Sequence, residues 1–218
     1  MPITNRRVRL VRGLVLLLVL AALAACDRGG GPDLPGGSKT LTSADGALQL
    51  RVPASWSEQT DLNPAAALQA ADLDDEAYAV LIEDPREPFK SMDLGKFADT
   101  EMQKLVTRVG LANLTGPELV EVDGNQAVQY QIKGFHNEVE VVYLYTFVET
   151  PDRFLKVVTW SLADRFDDNR PVLEEVTTSV RQLKPLDASP TPSGADPGVA
   201  PPPAATVDPN QIDRGGGL

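Results

Sequence analysis

The single histidine of the chain limits the catalytic chemistry that its sequence supports. His136 lies in the polar stretch Gly-Phe-His-Asn between two apolar segments. A catalytic triad needs a nucleophile beside its histidine, and multi-histidine metal sites need further imidazoles. The sequence also has no phosphate-binding glycine loop, Cys-x-x-Cys pair or nucleophile elbow. We therefore expect His136 to be an exposed turn residue, and the sequence predicts no catalytic residue, no cofactor and no metal ligand.

Two groups of carboxylates have residue types that occur in active or metal sites. Four of them lie in one turn: Asp72, Asp74, Asp75 and Glu76. They could bind calcium, but the glycine and the distal glutamate of an EF-hand loop are missing. Glu138 and Glu140 share a strand face and resemble a glycosidase pair in residue type only. Acidic turns are usually just solvated, so we interpret both groups as surface residues, with a calcium site at the first as the alternative.

The only cysteine has a clearer chemical setting. Cys26 follows Leu23, Ala24 and Ala25, an arrangement that resembles the bacterial lipobox. Its thiol would carry a diacylglyceryl thioether, and the small residues before it let a peptidase reach the backbone. Two or more acyl chains hold a protein on a membrane much more firmly than one chain does. The sequence thus predicts lipidation at Cys26, with an ordinary secretory signal and a chance cysteine as the alternative.

The segment before Cys26 has the composition of an export signal. Four arginines precede an uncharged apolar run from Leu14 to Leu23, which is shorter than the about 20 apolar residues of a spanning helix. We interpret residues 1–25 as a lipoprotein signal peptide. Asp27 favours the inner membrane, because an aspartate after the cysteine resembles a retention signal of enteric bacteria.

The charge balance limits the classes of molecule that the chain can bind. The chain has 31 acidic and 20 basic residues, and removal of the arginine-containing leader would leave a net charge of about −15. Such a surface repels nucleic acid and anionic headgroups, so we expect attachment to the membrane through the N-terminal lipid alone. With Cys26 acylated no thiol remains for a disulfide, and the fold depends on its core.

Composition divides the remaining chain into three parts. Residues 26–39 are the acylated cysteine and a flexible tether rich in glycine and proline. Residues 40–184 have the size of a single domain. Residues 185–218 contain eight prolines, five glycines and no aromatic residue, a composition that predicts a disordered tail, with a proline-rich docking segment as the alternative.

The domain sequence begins with strand signals. Leu48, Leu50 and Val52 alternate with polar residues, as in a strand with one wet face. Residues 65–73 and 76–83 are two weaker strand candidates around the acidic turn. Residues 93–109 carry apolar side chains at three- and four-residue spacing, which predicts an amphipathic helix.

The second half of the domain predicts three long strands and a closing helix. Residues 118–122 and 126–133 flank Asp-Gly-Asn, a strong hairpin signal. Residues 138–148 and 153–162 are apolar on both faces through their middles, so we expect them to be central strands. Residues 168–183, with Pro171 in the first turn, predict a helix that covers the sheet. Short connections make the sheet mainly antiparallel, and the fold class is α+β.

This order of elements resembles that of a known group of proteins. A short strand into Pro53-Ala54-Ser55-Trp56, a helix after a hairpin, the Asp-Gly-Asn turn, long strands and a closing helix are similar to the fold of PsbP, of DcrB-type bacterial lipoproteins and of the Ran-binding factor Mog1. The resemblance implies an α-β-α sandwich over about residues 40–183, and the lipobox agrees best with the DcrB-type branch. It also implies a role in binding or assembling other proteins, with no catalytic motif to transfer.

Two functions follow as expectations. The first is a membrane-anchored, non-enzymatic envelope lipoprotein that faces the periplasm and binds an envelope protein as an assembly or stress-related accessory module. The alternative is a periplasmic module for a small ligand or cation, which predicts a pocket lined by Tyr143, Tyr145 and Trp160. Trp56 is expected to cap one end of the core, and Trp160 to fill the interface between sheet and helix.

Overall fold

Residues 34, 36–109, 113–136 and 138–186 are described by a computed structural model. In this part of the chain the strands are β1 (Ser38–Thr42), β2 (Leu48–Pro53), β3 (Ser57–Glu58), β4 (Leu68–Asp72), β5 (Ala77–Pro85), β6 (Asn113–Val122), β7 (Asn125–His136), β8 (Val139–Glu149), β9 (Arg153–Leu162) and β10 (Arg181–Gln182). The helices are α1 (Leu94–Val109) and α2 (Phe166–Thr178), and a 3-10 turn at Glu87–Phe89 precedes α1. The predictions for the signal peptide, Cys26, Asp27 and residues 187–218 concern residues outside this description.

Seven strands form the main sheet in the order β3-β4-β5-β9-β8-β7-β6, and every neighbouring pair is antiparallel. The strand β9 is the middle one and is buried at all positions but its last. This agrees with the prediction from its two apolar faces. The α+β class with a mainly antiparallel sheet is confirmed.

The two faces of this sheet are covered differently. On one face Phe97 of α1 stacks on Phe154 of β9, with ring centroids 4.0 Å apart. On the other face Leu173 and Val176 of α2 pack against β5, β8 and β9 together with apolar residues of β2. The strand β2 belongs to a second, three-stranded sheet in the order β1-β2-β10. One face is therefore covered by a helix, and the other by a helix and a small sheet.

The Asp-Gly turn forms the predicted hairpin between β6 and β7. Asp123 and Gly124 have φ values of 53° and 72°, the left-handed conformation that a two-residue hairpin of this kind requires. Val122 and Asn125 close the turn as partners in the antiparallel register. The hairpin signal in the sequence is confirmed.

The closing helix differs from its prediction at both ends. α2 begins at Phe166, so Pro171 lies inside the helix and not in its first turn. The helix ends at Thr178, where the Ser179 hydroxyl accepts from the Arg51 N–H and shares its proton between the carbonyl oxygens of Val176 and Arg51. Arg181–Gln182 then pair with β2 as β10. The predicted helical continuation through Leu183 is wrong.

Within the described residues, no helix has the length and apolarity needed to cross a membrane.

Candidate functional site

The strand β6 is the exposed edge of the main sheet. Its first seven residues, Asn113–Leu119, are exposed, and Val122 at the other end is buried. Leu119 has 88% of its surface exposed, more than Leu73 in the β4–β5 turn at 63%. An exposed edge of this length has free hydrogen-bonding groups and is a surface that another chain can pair with.

The register with β7 determines which residues of β6 share a face. Leu119 lies opposite Val128, which belongs to the core on the α1 side, and Val120 lies opposite Ala127 in the core on the α2 side. Side chains alternate between faces along a strand. Leu119 therefore extends the apolar α1 face of the sheet out to its edge, where solvent reaches it.

An irregularity divides β6 into two halves. The register shifts between Thr115 and Glu118, where Gly116 has a φ of 113° and the Gly116–Pro117 peptide is cis. A Cβ atom at Gly116 would lie 2.7 Å from the carbonyl oxygen of Gln129, so only glycine fits there. We call the regular half Glu118–Val122 the β6 edge.

A buried group of charged side chains lies where β9 begins, in contrast to the exposed β6 edge. The Arg153 side chain is fully buried, and its guanidinium forms ion pairs with Glu83 and with Asp152, the latter at 3.3 Å. It also donates to the carbonyl oxygen of Lys184 at 3.3 Å. Burial raises the pKa of Glu83, although Arg153 acts in the other direction.

Asp152 ties the segment after α2 to this end of the sheet. Its carboxylate accepts hydrogen bonds from the Leu186 N–H and from Nε2 of Gln182, the latter at 2.8 Å. Burial alone would raise the pKa of Asp152, but these hydrogen bonds and Arg153 lower it to about 2. We call Glu83, Asp152 and Arg153, with the segment 181–186 that they hold, the C-terminal clasp.

A shallow cavity of about 330 Å³ lies beside the C-terminal clasp, between the β6–β7 and β8–β9 turns. Two carboxylates line it, those of Asp123 and Asp152. Asp123 already accepts the Gln182 N–H at 3.1 Å and pairs with Arg181 at 3.1 Å. Both carboxylates thus bond to residues of the segment 181–186 and hold it in place.

The acidic turn predicted from the sequence is bonded internally. Asp72 accepts hydrogen bonds from the N–H groups of Asp74 and Asp75 and from the Ser55 hydroxyl. Arg165 forms ion pairs with Asp75 at 3.7 Å and with Glu76 at 3.3 Å. Among the residues that the structure describes, no group of three or more potential ligands is arranged to hold a metal ion.

The other polar residues selected from the sequence lie around the connection between β7 and β8. His136 ends β7 and lies opposite Val139 in the register. Glu138 precedes β8 with a φ of 70°, and Glu140 forms an ion pair with Lys133 at 3.0 Å. Glu138 therefore lies outside the strand on which it was predicted to share a face with Glu140.

The aromatic residues that were predicted to line a ligand pocket pack against one another. Trp160 stacks on Tyr78 at 5.1 Å with nearly parallel rings, and Tyr143 lies 6.0 Å from it. Trp160 and Tyr145 are buried in the core that includes α1, and Trp56 is buried in the other core. The rings fill space within the core.

Sequence reasoning missed both regions that stand out in the structure. Leu119 is one apolar residue in the alternating stretch Glu-Leu-Val-Glu-Val. No neighbouring residue in the sequence indicates that helix α1 leaves this side chain uncovered. Arg153 follows a turn and has its partner Glu83 70 residues earlier. Only the sheet order brings that pair together.

Comparison with known proteins gives matches in structure only. No family model matches the sequence, and it has no match among curated proteins. The chain is similar in fold to cyanobacterial PsbP from Synechocystis, with 15% identity, a TM-score of 0.49 and coverage of 74% of this chain and 99% of that one. It is similar to LpqN, involved in cell envelope biogenesis of Mycobacterium tuberculosis, with 15% identity, a TM-score of 0.49 and coverage of 69% and 98%. It is also similar to the yeast Ran-binding protein Mog1p, with 12% identity, a TM-score of 0.48 and coverage of 68% and 96%.

PsbP and Mog1p belong to the group whose element order the sequence resembles. Identities of 12–15% and TM-scores below 0.5 transfer no ligand, partner or activity to this chain.

Proposed function

We propose that this chain is a lipid-anchored, non-enzymatic accessory protein of the bacterial cell envelope that binds another envelope protein through its β6 edge. The observation that carries the proposal is Leu119, which is 88% exposed on the edge strand of a seven-stranded sheet. An unpaired edge strand is a surface with which another chain can pair, and an exposed leucine on it offers apolar surface that such a chain can cover.

The anchor is supported by the sequence. Cys26 follows a leader with basic and apolar regions and small residues before the cysteine. Leu34 is the first residue that the structure describes, and its side chain is buried. The segment between these two residues spans at most about 29 Å when fully extended, which would keep the domain near one membrane surface. Asp27 favours the inner membrane and a domain that faces the periplasm.

The absence of an enzymatic role is supported by how buried charges are used. Arg153 is bonded within the C-terminal clasp, and Lys156 forms ion pairs with Asp84 at 2.8 Å and Glu101 at 3.2 Å. The Tyr130 hydroxyl donates to Asp99 at 2.8 Å, and burial followed by this carboxylate raises its pKa to about 12. These charged groups bond to one another within the fold, and a tyrosine with a raised pKa stays protonated at neutral pH.

The binding proposal is tested by photo-crosslinking in the source bacterium at native expression. A photoreactive amino acid replaces Leu119 in one strain and Leu73, the matched exposed leucine in a turn, in another. We expect one discrete adduct, identified as the same envelope protein in repeated experiments, from position 119 and not from position 73. Equal adducts from both positions, or none from position 119, would contradict binding at this edge.

The anchor is tested separately by the intact mass of the membrane-extracted protein. Cleavage before Cys26 with added acyl mass is expected for the wild type, and neither modification for Cys26→Ser. An unmodified wild-type mass would remove the lipid anchor from the proposal and leave the binding edge to be judged by the crosslinking result.

A further inference from the structure

The β6 edge has backbone groups that point away from the sheet. β6 is the last strand in the order and pairs only with β7. In an antiparallel pair, successive residues direct their N–H and C=O alternately toward the partner strand and away from it. The closing pair of a two-residue turn, here Val122 and Asn125, is directed inward, so the alternation places the backbone groups of Leu119 and Glu121 outward.

The irregularity in β6 limits how long a pairing segment can be. Pro117 has no N–H to donate, and the register shift between Thr115 and Glu118 interrupts the regular pleat. The regular stretch Glu118–Val122 is about 17 Å long. An added strand would therefore make its hydrogen bonds along five residues at most.

The side chains of the β6 edge restrict the chemistry of such a strand. Leu119 and Glu121 lie on the α1 face, and Glu118 lies on the α2 face beside the partly buried Val120. Each face thus has one exposed carboxylate, and the α1 face has the exposed leucine next to it. An apolar residue opposite Leu119 and a cationic residue near each glutamate would complement this pattern.

Within the described residues, no salt bridge involves either glutamate of the β6 edge. Arg170 is close enough to Glu118 to have an electrostatic effect, but its own ion pair is with Glu174 at 2.7 Å. In the antiparallel register with the fullest overlap, a second copy of this chain would place its Leu119 opposite Glu121, with the two Glu121 carboxylates diagonal to each other on one face and no cation near either of them. The charges favour a different, basic chain.

We infer that the β6 edge binds an extended basic segment of the partner protein, which adds an eighth strand to the main sheet. This inference rests on the proposed function and specifies its binding site. Main-chain hydrogen bonds to Leu119 and Glu121 hold the segment, and Glu118, Leu119 and Glu121 select lysine or arginine beside apolar residues.

The test measures binding of labelled six-residue peptides to the detergent-solubilised full chain by fluorescence anisotropy. One peptide alternates lysine with valine, a second alternates glutamate with valine, and a third is the lysine peptide with all of its backbone nitrogens methylated. We expect the lysine peptide to bind at least about tenfold more tightly than either other peptide and to weaken as salt is added. Equal binding of the methylated peptide would overturn strand pairing, because methylation removes its donors.

Charge reversal provides the matched control within the chain. Glu118→Lys and Glu121→Lys are expected to abolish binding of the lysine peptide, whereas Glu58→Lys on the other edge strand, β3, leaves it unchanged. Loss of binding in Glu58→Lys alone, or in all three variants equally, would overturn the assignment to the β6 edge.

Two further results separate this inference from the proposed function. A specific adduct at position 119 together with no binding of the lysine peptide would overturn the basic segment and leave the protein-binding edge standing. Sedimentation that showed a dimer of the full chain, lost in Leu119→Arg, would identify a second copy as the occupant and overturn the inference.

Discussion

The C-terminal clasp and the β6 edge belong to one domain but use their polar groups in opposite ways. In the C-terminal clasp, Arg153 is fully buried, and its neighbours Glu83 and Asp152 are bonded to it. In the β6 edge, Leu119 is exposed and half of the backbone groups face solvent. Polar groups that bond to partners within the domain contribute to its stability, whereas polar groups that face solvent are available to bind another molecule. Changes in the two regions should therefore separate stability from binding.

The largest effect is expected for Arg153→Met. It retains much of the buried volume but leaves Glu83 and Asp152 without their cation, and breaking a buried ion pair costs about 3–5 kcal/mol. Urea denaturation followed by circular dichroism would measure the loss. Arg165→Met is the control, because Arg165 is half exposed in its pairs with Asp75 and Glu76 and should cost less than about 1 kcal/mol. Similar losses in both variants would contradict the special role of the C-terminal clasp.

Gly116→Ala should destabilise the domain next most strongly. The new Cβ would lie 2.7 Å from the Gln129 carbonyl oxygen at a φ of 113°, and strain of this kind costs about 3 kcal/mol. Gly124→Ala is the matched variant, since its φ is 72° with no atom within 4 Å, and should cost about 1 kcal/mol. Denaturation midpoints rank the two variants. Hydrogen exchange should show lost protection in β6 for Gly116→Ala only, and equal midpoints would show that β7 moves aside to accept the new side chain.

Acid should weaken the C-terminal clasp through Asp152. Its pKa is about 2 in the folded protein against an ordinary value of 3.8, so its contribution is present above about pH 4 and is lost as the pH falls toward 2. After allowance for partial exposure we expect about 1 kcal/mol. Glu83, with its raised pKa, opposes this loss. Urea midpoints of the wild type and Asp152→Asn should therefore converge at acid pH, and a constant difference between them would assign the effect to packing.

Leu119→Ser should have the smallest effect on stability. A side chain that is 88% exposed contributes little to the core, and such surface changes usually stay within about 0.5 kcal/mol. The same substitution should abolish the adduct formed through a photoreactive residue placed at Thr115, elsewhere on β6. Leu73→Ser is the control for both measurements. A large loss of stability in Leu119→Ser would mean that this leucine supports the fold.

The parts of the fold that the sequence predicted are those with a local signal. The alternation in β2, the Asp-Gly turn and the spacing in α1 each depend on neighbours within a few residues. β1 was missed because only Leu41 among its five residues is buried, so no period is visible. The end of α2 was misplaced because Val180 and Leu183 keep a helical spacing, whereas Ser179 ends the helix through contacts with Arg51, 128 residues away in sequence.

The candidate site was less predictable because its environment depends on residues that are far apart in the sequence. Leu119 and Arg153 are ordinary residues for strands, and their different environments arise from the order of strands in the sheet. A sequence shows that a strand has an apolar face, but not that the strand is the last one. Pro117 was the one available signal, because proline inside a strand indicates an edge.

The two edges of the main sheet are unequal: β3 has two residues, whereas β6 has ten. Open-ended fibres need two complementary edges on each molecule, so that every added subunit presents a new template. A sheet with one usable edge can take a single strand, after which growth stops. The short β3 therefore limits the growth of the main sheet to the one strand that can be added at β6.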